Sequence, residues 1–487
     1  MHQPAWVSAY EALAEQTVQE SQAPGVIIGI NQHGDSLYRK AYGYRDAERK
    51  WAITPDTVMG LASVTKSFTC MAIMQLQEAG KLSVHDPVVA YLPEFRTPDQ
   101  ACTERMTIHH FMTHSAGIPP LPVDMLAVKN SLFDTIPEED NPIHRFIKKE
   151  QQKPIRTHAD LLEVLAHVQY ELLGEPGQHF SYSNECYALL GAIVERVSGK
   201  PYDVYVKEHI LAPADMRSST FLLGDLPRFP EVTTIYHKRD NHGKLEVYPD
   251  FDWEEGPAVM AAGHLNSTVR DMLNYAEIFR TGGCVGKERI LSAESVRQMT
   301  LPHVVCNYKK HYGYGLMVEP NYYGGTLLKH GGAIKGVAAH LAIVPERGLT
   351  AVVLANLIGT PVEKLALTAL NLIEGRAAAE PLTKYEDYCV SPERFQAYVG
   401  DYASGEGMNV SVTVEEGALV LTNHTALFPN EKGLKYPLLP IAENYFLAQM
   451  DGSELTVGFA NQADGQAKAV SVGYRQIPRV SLTKPEV

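Results

Sequence analysis

A chain of 487 residues with 45% hydrophobic and 21% charged side chains has an ordinary globular composition and is too long for one core, so two or three domains are expected. The net charge of −14 is spread along the sequence with no Lys/Arg-rich run, which argues against nucleic acid or an anionic membrane as partner. No apolar run approaches the ~18 residues that span a bilayer, and the N-terminus lacks the basic segment and apolar core of a secretory signal, so a cytoplasmic location is expected.

Residues 5–21 carry Trp6, Tyr10, Leu13 and Val18 at helical spacing and predict a helix. Residues 25–30 and 36–42 then read as two strands joined by a Gly34-containing turn, an antiparallel hairpin. The next stretch organises the rest: Gly60-Leu-Ala-Ser63-Val-Thr-Lys66-Ser-Phe68, after which Ala72, Ile73, Leu76 and Ala79 continue a helical period. A helix opening near Ser63 places the Lys66 ammonium one turn away, beside the Ser63 hydroxyl and the positive end of the helix dipole. A serine hydroxyl needs such a base or proton shuttle to act as a nucleophile. Taken alone the spacing is weak, since Ser481-x-x-Lys484 matches it too, in the tail.

Six cysteines are scattered without a Cys-x-x-Cys pair and read as unpaired buried thiols, with Cys70 a core residue of the Ser63 helix. Residues 107–117 predict a helix ending at Gly117, with His110 and His114 on one face. A metal would need a third ligand, and no His-Glu-x-x-His occurs, so both read as structural. Residues 119–160 are polar, proline-rich and charged. They read as an insertion, either a solvated loop or a cover over a cleft.

A Glu175-Pro-Gly177 turn delivers Tyr182-Ser-Asn184 just ahead of an apolar helix. Both side chains can point the same way from an extended segment. A lysine ammonium nearby would lower the tyrosine pKa and make the phenolate a proton acceptor. The bland alternative is a core tyrosine followed by an Asn N-cap. Residues 257–281 read as a turn entering a helix, and 312–318 as a strand. Then comes Leu-Lys-His330-Gly331-Gly332-Ala333, followed by strands over 337–344 and 349–357 and a helix over 362–375. Two glycines allow close approach of backbone to substrate, and an Ala333 amide facing the Ser63 amide would make a two-donor oxyanion hole. Beyond residue 393 short alternating strands indicate an antiparallel barrel or sandwich.

Taken together, Ser63-x-x-Lys66, Tyr182-x-Asn184 and His330-Gly331-Gly332 stand in the order and spacing of the serine β-lactamase/penicillin-binding-protein superfamily, and the chain most resembles its class C-like branch of D-amino-acid peptidases and esterases. The resemblance covers roughly residues 8–375. It implies an α+β catalytic domain, an antiparallel sheet flanked by helices and built from both chain ends, beside a helical subdomain. The expected boundaries are a catalytic domain over 1–378 with the 119–160 insertion, a linker over 379–393, and a lipocalin-like antiparallel barrel over 394–482. The implied chemistry is acyl transfer without cofactor or metal. Ser63 attacks, Lys66 and Tyr182 share the base role, and His330 completes the catalytic set. Asn184, Gly331 and Gly332 contact substrate, and the Ser63 and Ala333 amides hold the oxyanion. The partner is a small molecule or short peptide, and a homo-oligomer is left open. His330 stands where relatives have lysine, which removes a permanent cation and argues against efficient β-lactam or carboxypeptidase action. Relatives with His there are often aminopeptidases, amidases or esterases. A class C-like β-lactamase, a D-Ala-D-Ala carboxypeptidase, an acyltransferase and a silent binding protein are the alternatives. An α/β-hydrolase is not, because Gly-x-Ser-x-Gly is absent.

Overall fold

The structure, a computed structural model, describes residues 4–128, 155–241, 244–425, 433–450, 453–461 and 465–480. The chain divides into two compact units, neither contiguous in sequence. The first comprises residues 1–86, 187–303 and 312–382, and the second residues 87–186, 304–311 and 383–487.

In the first unit the strands run Met317–Tyr322, Gly325–Ile334, Val337–Val344, Leu349–Ala355, Gly25–Gln32, Asp35–Asp46 and Trp51–Ala52, each antiparallel to its neighbours. Strands from both ends of the sequence thus share one sheet, joined where Val26 pairs with Ala355. Val337–Val344 and Leu349–Ala355 are buried at every residue. Their unbroken apolar runs fit strands covered on both faces. On one face Tyr10 and Ala14 of helix Ala5–Ser21, with Leu365 and Ala369 of helix Val362–Ile373, pack against Ile28, Ile30 and Val353. The Tyr10 hydroxyl donates to the Leu365 carbonyl at 3.0 Å. Gly29 points the opposite way, as alternation requires. A Cβ there would fall 2.4 Å from Val269 Cγ1, so only glycine lets helix Val269–Thr281 lie this close. Thr268 caps that helix by accepting from the Asp271 amide. Its Tyr275 stacks on Phe68 of helix Thr65–Glu78, ring centroids 3.7 Å apart.

The expected hairpin and flanking helices are present. The strand expected over 312–318 is interrupted. Gly315 has φ of 74°, and a Cβ on it would fall 2.7 Å from Ser67 Cα, so the backbone there packs on the Ser63 helix instead of pairing.

The second unit carries short helices at Gln100–Arg105, Ile108–Met112, Val123–Ala127 and His158–His167. The helix expected over 107–117 is corrected. It stops at Met112, and His114 takes a left-handed φ of 56°, so His110 and His114 do not share a helix face. Of the 119–160 stretch, 129–154 lie outside the described residues. Its margins are not a solvated loop: Leu121, Val123, Leu126, Val128 and Ile155 are all buried.

The C-terminal strands form two antiparallel sheets. One holds Gly400–Ala403, Asn409–Glu415, Ala418–Asn423 and Lys435–Pro437. The other holds Leu439–Ala442, Tyr445–Met450, Ser453–Asn461, Ala467–Val472 and Arg475–Pro478. Tyr398, Tyr402, Phe446 and Phe459 fill the core between them, and a bridge from Tyr402 to Arg479 links their edges. No closed ring of strands is present among the described residues. Ser481 and Lys484 lie outside those residues.

Candidate active site

Ser63 sits in a 3₁₀ turn, Ala62–Val64, that runs directly into helix Thr65–Glu78. Ala62, the residue before it, has φ of 47°. A left-handed alanine costs roughly 1–2 kcal/mol, a strain that persists only where the surroundings impose it. Here they do. Leu61 N–H donates to the Leu265 carbonyl at 2.8 Å, Met59 and Gly60 pair with Ser267 and Asn266, and the Leu265 amide donates to Thr65 Oγ1 at 3.2 Å.

Lys66 is fully buried. Its Nζ donates to Ser63 Oγ at 3.2 Å and to the Ala262 carbonyl at 2.6 Å, and lies 5.5 Å from the Tyr187 ring centroid. The carbonyl fixes the amine, and the i, i+3 spacing aims it at the hydroxyl.

Strand Gly325–Ile334 brings His330, Gly331, Gly332 and Ala333 into the same unit. A Cβ on Gly332 would fall 2.2 Å from the Leu61 carbonyl oxygen, whereas one on Gly331 meets nothing closer than 3.8 Å. The close approach at Gly332 is therefore to the turn that carries Ser63, whereas the sequence expectation was approach to a substrate. Ala333 is exposed and pairs with Ala338.

His330 is buried. Its Nδ1 lies 2.6 Å from the Gly331 carbonyl, which can only accept, so Nδ1 carries the proton and the bare Nε2 accepts from the Tyr312 hydroxyl at 3.1 Å. Burial, reinforced by the Lys66 charge, pushes its pKa down to about 3 against the opposing pull of the Gly331 hydrogen bond. The ring is neutral. Tyr312 also hydrogen-bonds Tyr187, whose hydroxyl meets Cys70 Sγ at 3.3 Å. Burial raises the Cys70 thiol to about 12, so it carries no thiolate at neutral pH.

Tyr182 and Asn184 belong to the second unit. Asn184 opens helix Asn184–Ser198. Tyr182 is held on several sides. Its amide donates to the Tyr474 carbonyl at 2.9 Å. Its ring stacks on His114 with centroids 4.1 Å apart, and the Arg475 guanidinium lies 5.0 Å from its centroid. His114 Nδ1 accepts from the Ser183 amide at 3.0 Å, so the same imidazole fixes backbone and ring. Burial works against the Arg475 charge, but Glu406, at 2.5 Å, more than offsets it and holds the guanidinium pKa above its ordinary value.

Sequence reasoning missed His114, Tyr312, Tyr187 and Arg475. His114 was visible in the Thr-His-Ser-Ala-Gly run but was assigned to a helix. The others carry no motif. No group of three or more His, Cys, Asp or Glu side chains suited to a metal occurs among the described residues, and no described helix is long and apolar enough to cross a membrane.

The Beta-lactamase family profile matches residues 10–374. The chain is 24% identical over 472 residues to penicillin-binding protein 4* of Bacillus subtilis (strain 168), covering 91% of this chain and 96% of that one. The solved structure of the octameric penicillin-binding protein homologue from Pyrococcus abyssi matches with a TM-score of 0.67 at 27% identity, over 97% of this chain and 99% of that one. The crystal structure of SurE with D-Leu matches with a TM-score of 0.69 at 22% identity, over 98% and 100% of the two chains. With a family profile across most of its length and a Ser-x-x-Lys pair in contact at the start of helix Thr65–Glu78, the chain belongs to the Beta-lactamase family and is a serine hydrolase of the β-lactamase/penicillin-binding-protein type.

Proposed function

We propose that this chain cleaves amide or ester bonds of small acyl substrates, D-aminoacyl compounds among them, through an acyl-enzyme on Ser63. The observation that carries the reading is the buried Lys66 Nζ, 3.2 Å from Ser63 Oγ and anchored by Ala262 O at 2.6 Å. An amine fixed within hydrogen-bond distance of a serine hydroxyl is placed to exchange a proton with it, which is what activating that hydroxyl requires. In the proposed cycle Ser63 attacks the carbonyl as its proton passes to the base. The Ser63 and Ala333 amides receive the oxyanion, the leaving group departs protonated, and water then releases the acyl group. From the Tyr182-x-Asn184 motif we assign Tyr182 a share in proton transfer and Asn184 the orientation of the substrate amide. His330 braces Tyr312 and contributes no charge.

A neutral His330 supplies no cation for a substrate carboxylate, which favours uncharged esters and amides over β-lactams and peptide C-termini. The similarity to penicillin-binding proteins keeps a cephalosporin in the test, and the octameric homologue makes a homo-oligomer worth measuring. The experiment is intact-mass detection of an acyl adduct with D- and L-aminoacyl anilides, short acyl esters and a chromogenic cephalosporin. Adduct with an ester or anilide, lost in Ser63→Ala, is the expected result. Adduct that persists in Ser63→Ala overturns it.

A further inference from the structure

One pocket of about 170 Å³ lies entirely within the first unit. It is bounded by Gly60, three residues before Ser63, by Gly263, next to the Ala262 carbonyl that holds Lys66, and by Ile334, next to Ala333. Most of its wall is apolar, with Phe221, Leu222, Trp253, Pro257 and Met260 contributing. Into this wall are set a histidine and carboxylates.

The His264 side chain is only 10% exposed, and neither ring nitrogen makes a hydrogen bond among the described residues. Its Nε2 stands 3.6 Å from Glu254 Oε1, too long for a hydrogen bond. The ring is held there by packing: a Cβ on Gly256 would fall 2.9 Å from Nε2. Glu254, 12% exposed, accepts among the described residues a long 3.4 Å contact from the Lys335 amide at its other oxygen. Lys335, the one lysine or arginine of the lining among the described residues, is already committed. Its Nζ pairs with Asp250 at 3.0 Å and donates to the Asp252 carbonyl at 2.6 Å. Glu255 adds a second carboxylate to the lining. Buried polar atoms normally find partners, and each left without one is costly. An imidazole whose nitrogens lack hydrogen-bond partners and a carboxylate oxygen 3.6 Å from it, in an apolar pocket whose lysine is already paired, suit one donor that carries positive charge.

We propose that this pocket holds a primary ammonium carried on a compact aliphatic group, bound by Glu254 and His264 beside the acyl position at Ser63, and so selects aminoacyl substrates over their des-amino counterparts. The inference rests on the hydrolase reading above. The ammonium donates to Glu254 Oε1 and to one ring nitrogen of His264, and its aliphatic chain covers Trp253 and Met260.

The test has two arms. In the first, kcat/KM is measured for leucine ethyl ester, as each enantiomer, and for ethyl 4-methylpentanoate, which lacks only the amine. The wild type is expected to favour one leucine ester by about tenfold or more, the scale of one charge-assisted hydrogen bond. Glu254→Gln and His264→Leu are each expected to shrink that ratio. In the second arm, binding of 3-methylbutylamine and of 3-methylbutan-1-ol to Ser63→Ala is compared by ligand-observed NMR, with the amine expected to bind more tightly and to lose that advantage in Ser63→Ala/Glu254→Gln. If the wild type forms no adduct with any ester, the hydrolase reading fails and the binding arm alone decides the pocket. If adducts form but the ester ratio is near one, or survives Glu254→Gln, the pocket inference is overturned.

Discussion

His114 lies nearly flat against Tyr182, ring centroids 4.1 Å apart and planes 27° from parallel, while its Nδ1 accepts the amide of the next residue, Ser183. One imidazole thus sets both the position and the tilt of the tyrosine on which the Tyr-x-Asn motif depends. His114→Phe keeps the stacking and removes the acceptor, and His114→Ala removes both. The expected result is a fall in kcat of about tenfold for His114→Phe and more for His114→Ala, with KM less affected, because a misplaced reacting group costs rate steeply. Steady-state kinetics beside a thermal melt checks this. Equal kcat in all three proteins would show that the stack is packing alone.

Gly331 and Gly332 are adjacent and read alike in sequence, yet they face different neighbours. Gly332→Ala drives a methyl into the Leu61 carbonyl and should displace either the strand or the Ser63 turn, with most of the activity lost. Gly331→Ala meets His340 at 3.8 Å, ordinary contact, and should retain activity and melting temperature within a few degrees. Equal tolerance at the two positions would contradict the close approach.

His330→Lys would bury a second ammonium near that of Lys66, where the two repel. We expect activity to fall on all substrates alike. The ratio of kcat/KM for a carboxylate-bearing substrate and its methyl ester should stay unchanged. A ratio that rises toward the carboxylate would show that position 330 faces substrate after all.

Two buried histidines make stability sensitive to acid. Burial takes His330 to about 3 and His340 to about 4, whereas both titrate near 6.5 when unfolded. Between those limits the unfolded chain binds more protons, so stability is full above about pH 6.5 and is lost as pH falls toward 4. Each histidine contributes roughly 2–3 kcal/mol of loss over two pH units. Urea midpoints should drop between pH 6.5 and 4.5, and His340→Asn should reduce the slope by about one proton. An unaltered slope in that variant would remove His340 from the account.

The sheet and its flanking helices were legible because their signals are local: alternating or unbroken apolar strands, helical spacing, and a turn marked by Gly34. The contact between Ser63 and Lys66 was legible because it follows from an i, i+3 spacing at the start of a helix. What was not legible came from long-range packing. Tyr187 and Tyr312 acquire meaning only through Cys70 and His330, and Arg475 only through Tyr182, almost 300 residues earlier. The 107–117 helix failed for a physical reason: a histidine in the left-handed region interrupts it, which helical spacing of apolar residues does not reveal. The strands at Lys435–Pro437, Leu439–Ala442 and Arg475–Pro478 are too short, and too rich in proline, to show alternation.

The pairing of Gly25–Gln32 with Leu349–Ala355 also sets an order of events during synthesis. Once strand Gly25–Gln32 leaves the ribosome its hairpin partner follows at once, but its other edge must wait roughly 320 residues for Ala355. At bacterial or eukaryotic translation speeds that delay is on the order of tens of seconds. Through all of it Val26, Ile28 and Ile30 form an apolar strand with one unpaired edge, a template for pairing with another nascent chain. The nascent protein should therefore depend on chaperones for solubility far more than the finished one, and any stop codon before residue 355 should yield aggregate instead of a smaller folded unit.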